Sequence, residues 1–153
     1  MSEERTDEPT DAQIVARVTD LLAHLWMVRT FVKHSEEAEE YEDLLELPRA
    51  AFDVARAVET RLDDVPALRR MLAKKVPKLR RAADEFRVHA AAASTHTNWQ
   101  QAVISLDAVV AGLAALLPAK VAPPASPRLP TSPRSPTSPL PASPRPSPPR
   151  SAP

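Results

Sequence analysis

The sequence predicts an all-α protein, an antiparallel bundle of four to five helices over residues 1–117, followed by a disordered Pro/Ser/Arg-rich tail over residues 118–153. Three observations predict this fold class. Apolar residues recur at spacings of three and four, whereas no segment shows the alternation of a half-buried strand. The single glycine lies within a predicted helix, and 14 of the 18 prolines fall in the tail. Few turn-forming residues therefore separate the predicted helices, which indicates short connections. Helices joined in this way pack most simply as a bundle.

The first helix is predicted from Asp11 to Lys33. Thr10 and Gln13 have the spacing of a capping box, in which each side chain accepts a hydrogen bond from a free backbone N–H of the first turn. One helix face carries Ile14, Val18, Leu21, Leu25, Val28 and Val32, and Leu22, Trp26, Met27 and Phe31 extend the apolar surface around most of the helix. A helix that is apolar nearly all round is buried. We therefore expect the other helices to surround it.

The second predicted helix, His34 to Glu46, is acidic. Ser35 is a suitable N-cap, and acidic residues in a first turn interact favourably with the helix dipole. Because no Gly or Pro separates this segment from the first helix, a single long bent helix is an alternative. The acidic residues are Glu36, Glu37, Glu39, Glu40, Glu42 and Asp43, and Tyr41 lies among them.

Prolines indicate the starts of the next two helices. Pro48 is acceptable as a first helical residue, so the third helix is predicted from Pro48 to Leu62, with Phe52 on its apolar stripe. The fourth is predicted from Ala67 to Ala93, after the Val65-Pro66 restart. Pro77 lies inside it, where a proline removes a backbone hydrogen bond, and we expect a kink there or two shorter helices.

The fifth helix is predicted from Thr97 to Leu117. Thr97 and Gln100 repeat the capping-box spacing, and Asp107 is the only charged residue. Its apolar face carries Trp99, Val103, Leu106, Val110, Leu113 and Leu117.

The neutral net charge of the chain conceals two regions of opposite sign. Residues 1–117 contain all 20 acidic residues and 15 of the 20 Lys and Arg, which gives −5, and the tail carries the remaining +5. The tail repeats one proline-rich pentapeptide four times, from Pro124 to Arg145. Three interpretations remain open for it: a solvated segment without a partner, a Pro-x-x-Pro ligand for an aromatic groove, or a basic arm that binds phosphates.

Several protein classes are excluded or disfavoured. The absence of cysteine excludes disulfides and thiolate chemistry, and about 117 residues are too few for a TIM-barrel or doubly wound enzyme. Residues 1–11 lack the basic and apolar regions of a signal peptide, and no apolar run reaches the roughly 20 residues that cross a bilayer. We therefore expect a cytoplasmic protein that does not bind membranes.

Two carboxylate–histidine pairs are weak candidates for metal ligands. Asp20 and His24, and likewise Glu85 and His89, are four residues apart and share a helix face. The Glu-x-x-His spacing of dinuclear carboxylate bundles is absent from the sequence. No nucleophile triad or phosphate-binding loop is present either. We expect these histidines to pair with nearby carboxylates, and we expect no cofactor and no catalytic residue.

Two groups of residues are candidates for binding a partner. Trp26, Met27 and Phe31 lie away from the main apolar face of the first helix, which indicates either a second set of core contacts or an interface. The basic residues of the fourth helix include Arg69, Arg70, Lys74 and Arg81. We expect these to pair with the acidic helix, within the chain or across a self-association interface, and nucleic acid is the alternative ligand.

The strings LWMVRTFVKH, Leu25 to His34, and HTNW, His96 to Trp99, resemble uncharacterised small helical proteins of planctomycete-type bacteria over residues 14–117. Some of those proteins carry an amidohydrolase label, which implies a metal-dependent barrel with a His-x-His motif. This chain has no such motif. We expect a non-enzymatic module that binds another protein or itself, with nucleic-acid binding as the alternative and metal-dependent hydrolysis as a lesser one.

Overall fold

A computed structural model describes residues 8–118 of the chain. This part contains no strand and consists of five α-helices and one short 3₁₀ helix, so the predicted all-α bundle is confirmed. The elements are α1 (Asp11–Lys33), α2 (Glu36–Glu40), the 3₁₀ helix Glu42–Leu45, α3 (Glu46–Glu59), α4 (Val65–Ala93) and α5 (Thr97–Ala115). The predicted disordered tail, residues 118–153, lies outside the described residues except for Pro118.

The four long helices form a ring in which each packs mainly against two neighbours. α1 packs against α3 and α5, and α4 packs against the same two helices, whereas α1 and α4 contact each other little. The prediction that other helices surround α1 is therefore wrong. One side of α1 is left without a covering helix, although all six residues of its predicted apolar face are buried.

The ends of α1 follow from hydrogen bonds that the sequence predicts. The Thr10 hydroxyl accepts a hydrogen bond from the Gln13 backbone N–H at 3.3 Å, and the Gln13 side chain accepts one from the Thr10 N–H at 2.8 Å. The helix ends at Lys33 because Ser35 adopts an extended conformation and caps the next helix, accepting from the Ala38 N–H at 3.2 Å. The alternative of one long helix is therefore wrong.

The acidic segment does not form the single helix that we predicted from His34 to Glu46. α2 ends after Glu40, where Tyr41 leaves the helical conformation, and a 3₁₀ helix follows. Ala38 and Leu44 are the only buried residues of α2 and the 3₁₀ helix. A segment that buries so little apolar surface gains little stabilisation from packing, which is where most helical stability in proteins comes from.

α3 begins two residues before the predicted start and ends at Glu59, where a turn replaces the last predicted residues to Leu62. Pro48 lies in its first turn, where the missing N–H has no helical acceptor in any case. α4 begins at Val65 instead of Ala67, and Asp64 caps it by accepting from the Ala67 N–H at 2.9 Å.

α4 continues through Pro77 to Ala93, so the alternative of two shorter helices is wrong. Pro77 cannot donate to the carbonyl of Ala73, four residues earlier. Both residues are exposed, and water can therefore hydrogen-bond to that carbonyl. The residues that flank the proline on the buried face, Val76 and Leu79, keep the helix packed against the core.

α5 begins at Thr97, as predicted, but its N-terminal cap and its last residue differ from the prediction. His96 is its N-cap and makes no side-chain capping bond, so the second capping box is wrong. The Gln100 side chain donates instead to the Thr95 carbonyl oxygen at 3.5 Å. The helix ends at Ala115, two residues before Leu117.

Trp99, near the start of α5, contacts aromatic residues of two other helices. Only 2% of its surface is exposed. Its ring lies 5.2 Å from that of Phe31 on α1 in an edge-to-face arrangement, and 5.9 Å from that of Phe86 on α4.

Among the described helices, none has an apolar stretch that is long enough to cross a membrane.

Candidate protein-binding surface on α1 and α3

Three large apolar side chains are exposed on the neighbouring helices α1 and α3. Trp26 is 45% exposed, Met27 67% and Phe52 45%. We call these three residues the aromatic surface. The prediction of a second set of core contacts is wrong for Trp26 and Met27, and the prediction that Phe52 lies on the apolar stripe of the third helix is wrong as well. The missing cover on this side of α1 explains the exposure.

Phe31 does not belong to the aromatic surface. Its half-buried ring packs edge-to-face against Trp99, so it is part of the core between α1 and α5. For this residue the interpretation as a core contact is confirmed.

Arg29 links the two exposed rings of the aromatic surface. Its guanidinium lies 4.4 Å from the centroid of the Trp26 ring and 5.3 Å from that of Phe52. Each cation–π contact of this kind contributes roughly 0.5–1 kcal/mol at an exposed site. The Arg29 Nε–H is buried and has no acceptor among the described residues. Arg29 therefore bridges α1 and α3 and keeps a positive charge beside the exposed rings.

A shallow cleft of about 260 Å³ adjoins the aromatic surface where α1 ends and α3 begins. Three cations and three apolar residues line it, and we call it the basic cleft: Arg29, Lys33, Leu45, Pro48, Arg49 and Phe52. Arg49 forms an ion pair with Glu46 of its own helix. Arg29 and Lys33 form no ion pair within the described part of the chain. The cleft therefore combines an apolar floor with unneutralised positive charge.

A second depression lies on the other side of Trp26. It is lined by Thr19, Leu22, Ala23, Trp26, Met27, Glu59 and Leu62 and has a volume of about 420 Å³. Because residues late in α1 meet the start of α3 and residues earlier in α1 meet its end, the two helices run antiparallel. The aromatic surface lies between the two depressions.

The acidic segment, residues 36–43, does not pair with the basic residues of α4. In residues 8–118 its only ion-pair contact is a 4.0 Å approach of the Asp43 carboxylate to His89. Lys75 and Lys78 pair instead with Asp53 of α3, at 2.8 and 3.4 Å. The prediction that the acidic and basic segments pair within the chain is therefore wrong.

Among the acidic residues of the described chain, Asp53 is the one whose pKa the α4 cations alter clearly. The hydrogen bond from Lys75 lowers its pKa below the usual value, and the positive charges of Lys75 and Lys78 act in the same direction. Partial desolvation opposes the shift. Arg70, Lys74 and Arg81 are exposed and make no ion pair in the described part of the chain, whereas Arg69 is half-buried.

The four metal-ligand candidates lie on α1 and α4. Asp20, His24 and Glu85 are exposed, and His89 is half-buried beside Asp43. Within residues 8–118 no third His, Cys, Asp or Glu joins either pair to form a group that can hold a metal ion.

Three other large apolar residues are exposed in the described chain: Tyr41 beside the acidic residues, and Val88 and Ile104, which are single aliphatic side chains on α4 and α5. Isolated residues of this kind are normal on protein surfaces. The nearby groove of about 240 Å³ between the two helices is lined by Arg87. Arg87 pairs with Asp84 at 3.2 Å and with Asp107 at 2.6 Å, and these bonds raise its pKa further, with Asp107 making the larger contribution. The aromatic surface is therefore the stronger candidate.

No known protein family, curated protein or solved structure matches the chain. The resemblance of residues 14–117 to small helical bacterial proteins stays a prediction.

Proposed function

We propose that the protein is a non-enzymatic self-association module that forms a dimer through the aromatic surface. One observation supports this most directly: Trp26, Met27 and Phe52 are exposed side by side, with the Arg29 guanidinium between the two rings. Trp and Arg are the residues most enriched among those that dominate binding energy at protein interfaces. The function therefore rests on α1 and α3.

Burial of this surface is favourable because apolar area removed from water contributes roughly 25 cal/mol per Å². A large aromatic side chain offers about 150–250 Å² in total, and close to half of Trp26 and Phe52 is still exposed in the single chain. In a two-fold dimer each of these residues is buried twice, once in each copy. The apolar area buried in the two copies together therefore offsets part of the entropy that is lost on association.

A second copy fits this surface better than a membrane or a nucleic acid. Arg29 and Lys33 lie beside the rings, and the same chain carries six carboxylates in its acidic segment. A two-fold interface requires a self-complementary surface, and cations next to carboxylates on one chain meet that requirement.

For the compartment we propose the cytoplasm, since a chain without cysteine is compatible with a reducing environment.

Trp26→Ala tests the proposal in the full chain. Light scattering after gel filtration is expected to give twice the 16.7 kDa chain mass for the unaltered protein and a single chain mass for the variant. The variant keeps its helical circular dichroism, because Trp26 lies outside the core. Ile104→Ala, which shortens an exposed apolar residue on α5, is the matched control and leaves the dimer intact. A monomeric unaltered protein, or a dimeric Trp26→Ala variant, contradicts the proposal.

A further inference from the structure

We infer that the basic cleft of one copy binds the acidic segment of the other, with Tyr41 as the residue that enters the cleft. The inference rests on the proposed self-association and specifies which parts of the two chains meet. It follows from the position of the segment, its unneutralised charge and the exposure of its one aromatic residue.

The acidic segment and the basic cleft lie at the same end of the molecule. Lys33 and Leu45 both line the cleft, and the chain between them contains the whole acidic segment. A two-fold axis that passes beside this end places the segment of each copy over the cleft of the other. Both contacts then form at once, as an isologous interface requires.

The charges of the two parts are complementary. The cleft presents Arg29, Lys33 and Arg49, and the segment presents six carboxylates. In residues 8–118 only Asp43 among these carboxylates approaches a basic group, at 4.0 Å from His89. Arg29 and Lys33 are equally without an acidic partner there. Like charges crowded in one segment repel each other. Contact with the basic residues of a second copy's cleft reduces this repulsion and therefore favours the dimer.

Tyr41 gives the acidic segment an apolar group that fits the cleft floor. It is 42% exposed and lies between α2 and the 3₁₀ helix, with Glu40 and Glu42 on either side. By the floor we mean the three apolar residues that line the cleft, Leu45, Pro48 and Phe52. A tyrosine has an apolar ring and a polar tip, which suits a cleft that is apolar below and charged at its rim. Tyr41 and its neighbours thus match the cleft in both respects.

The basic face of α4 is the competing site for the acidic segment. Arg70, Lys74 and Arg81 are exposed there, yet no large exposed apolar residue of the described chain lies in residues 69–81. The cavity beside Arg69 and Arg70 also contains the apolar residues Val65, Pro66 and Ala73, but the acidic residues Glu8 and Asp11 line it as well. Within residues 8–118 no acidic residue lines the basic cleft. We therefore assign the segment to the cleft, and α4 supplies the control for the test.

The test uses charge reversal in the full chain. In one variant the cleft is reversed by Lys33→Glu with Arg49→Glu, which leaves Arg29 and a net charge of −1. In the other the segment is reversed by Glu36→Lys, Glu39→Lys, Glu40→Lys and Glu42→Lys, which changes its net charge from −6 to +2. All six substituted residues are exposed, so the fold is retained. Each variant alone is expected to dimerise at least about tenfold more weakly, because like charges then meet across the interface. A mixture of the two variants is expected to form a heterodimer close to the original affinity, since opposite charges meet again in both contacts.

The matched control is Arg70→Glu with Lys74→Glu on α4, which leaves dimerisation unchanged. Heterodimer formation in the mixture supports the inference. Loss of the dimer in the α4 variant, or undiminished dimers of both reversed variants, overturns it. If those reversed variants still dimerise while Trp26→Ala does not, the self-association proposal stands and only the assignment of the acidic segment fails.

Discussion

Asp53 of α3 forms ion pairs with two lysines of α4. Its carboxylate accepts hydrogen bonds from Lys75 and Lys78, and its pKa is lowered chiefly by the Lys75 bond. The side chain remains 42% exposed, so solvent screens the interaction and its contribution to stability is about 0–1 kcal/mol. The stabilisation requires the ionised carboxylate and is therefore pH dependent.

Asp53→Asn is expected to lower the free energy of unfolding at pH 7 by less than about 1 kcal/mol. Because the folded pKa is depressed, the contribution of Asp53 is complete above its unfolded pKa of about 3.9 and is lost as the pH falls through the folded pKa. Urea unfolding over a pH series measures this. Glu85→Gln, at an exposed residue without an ion pair among residues 8–118, is the control and changes stability little. A difference between Asp53→Asn and the unaltered protein that persists unchanged below the folded pKa contradicts the account.

Gly112 allows α1 and α5 to approach each other closely. A Cβ at this position would lie 2.8 and 2.9 Å from the two terminal methyl carbons of Leu21. Leu21 is buried, so its side chain cannot move into solvent. The glycine is therefore explained by helix packing, and no unusual backbone conformation is involved, since its φ is not positive.

Gly112→Val is expected to destabilise the fold by about 1–3 kcal/mol, because added methyl groups overpack a filled interface. Ala111→Val is the matched control, since Ala111 is the exposed neighbour on the same helix and loses only helix propensity. Urea unfolding compares the two. Adding Leu21→Ala to Gly112→Val is expected to give a total loss smaller than the sum of the single losses, because the cavity accepts the valine. Equal losses for Val at positions 111 and 112 argue against close packing there.

At the scale of the elements, hydrophobic spacing predicted the long helices well. All six residues of the predicted main face of α1 are buried, although Leu22, predicted to lie off that face, is buried as well, and the Thr10–Gln13 capping box defines the start of that helix. These features depend on residues close in sequence, so a single helical segment contains the information. The end of α1 at Lys33 and the Ser35 N-cap were also predicted. The break at Tyr41 was not, because no Gly or Pro indicates it.

The spacing could not predict which apolar residues form the candidate interface. Trp26 and Phe31 both lie off the main face of α1, yet Phe31 packs against Trp99 of α5 whereas Trp26 is exposed. The difference depends on which side of α1 lacks a neighbouring helix. That property belongs to the arrangement of four helices and has no signal within α1 itself. Phe52 was misplaced for the same reason.

The basic cleft was likewise invisible in the sequence. Arg29 and Lys33 come from the end of α1, and Arg49 comes from the start of α3. The runs of charge at residues 36–43 and 69–81 were conspicuous, and we expected them to pair with each other. The folded chain instead pairs Lys75 and Lys78 with Asp53, a single acidic residue outside both runs.

In the described bundle as a whole, the residues that stabilise the fold are separate from those that we propose for binding. Buried residues of α1, α3, α4 and α5 form one core, while the outer faces of α1 and α3 present the aromatic surface and the basic cleft on one side. The acidic segment adjoins that side. This arrangement leaves the core independent of the proposed dimer, so variants of the surface are expected to change association without unfolding the chain.

The fluorescence emission of Trp26 reports directly whether the aromatic surface is buried when the protein dimerises. The chain has two tryptophans, and Trp99→Phe leaves Trp26 as the only one while keeping an aromatic ring in the core. We expect the Trp26 emission of the full-length Trp99→Phe protein to shift to the blue as protein concentration rises, in parallel with the mass from light scattering. An emission maximum that stays at the wavelength of an exposed tryptophan while the mass doubles, or a mass that never doubles, contradicts dimerisation through the aromatic surface.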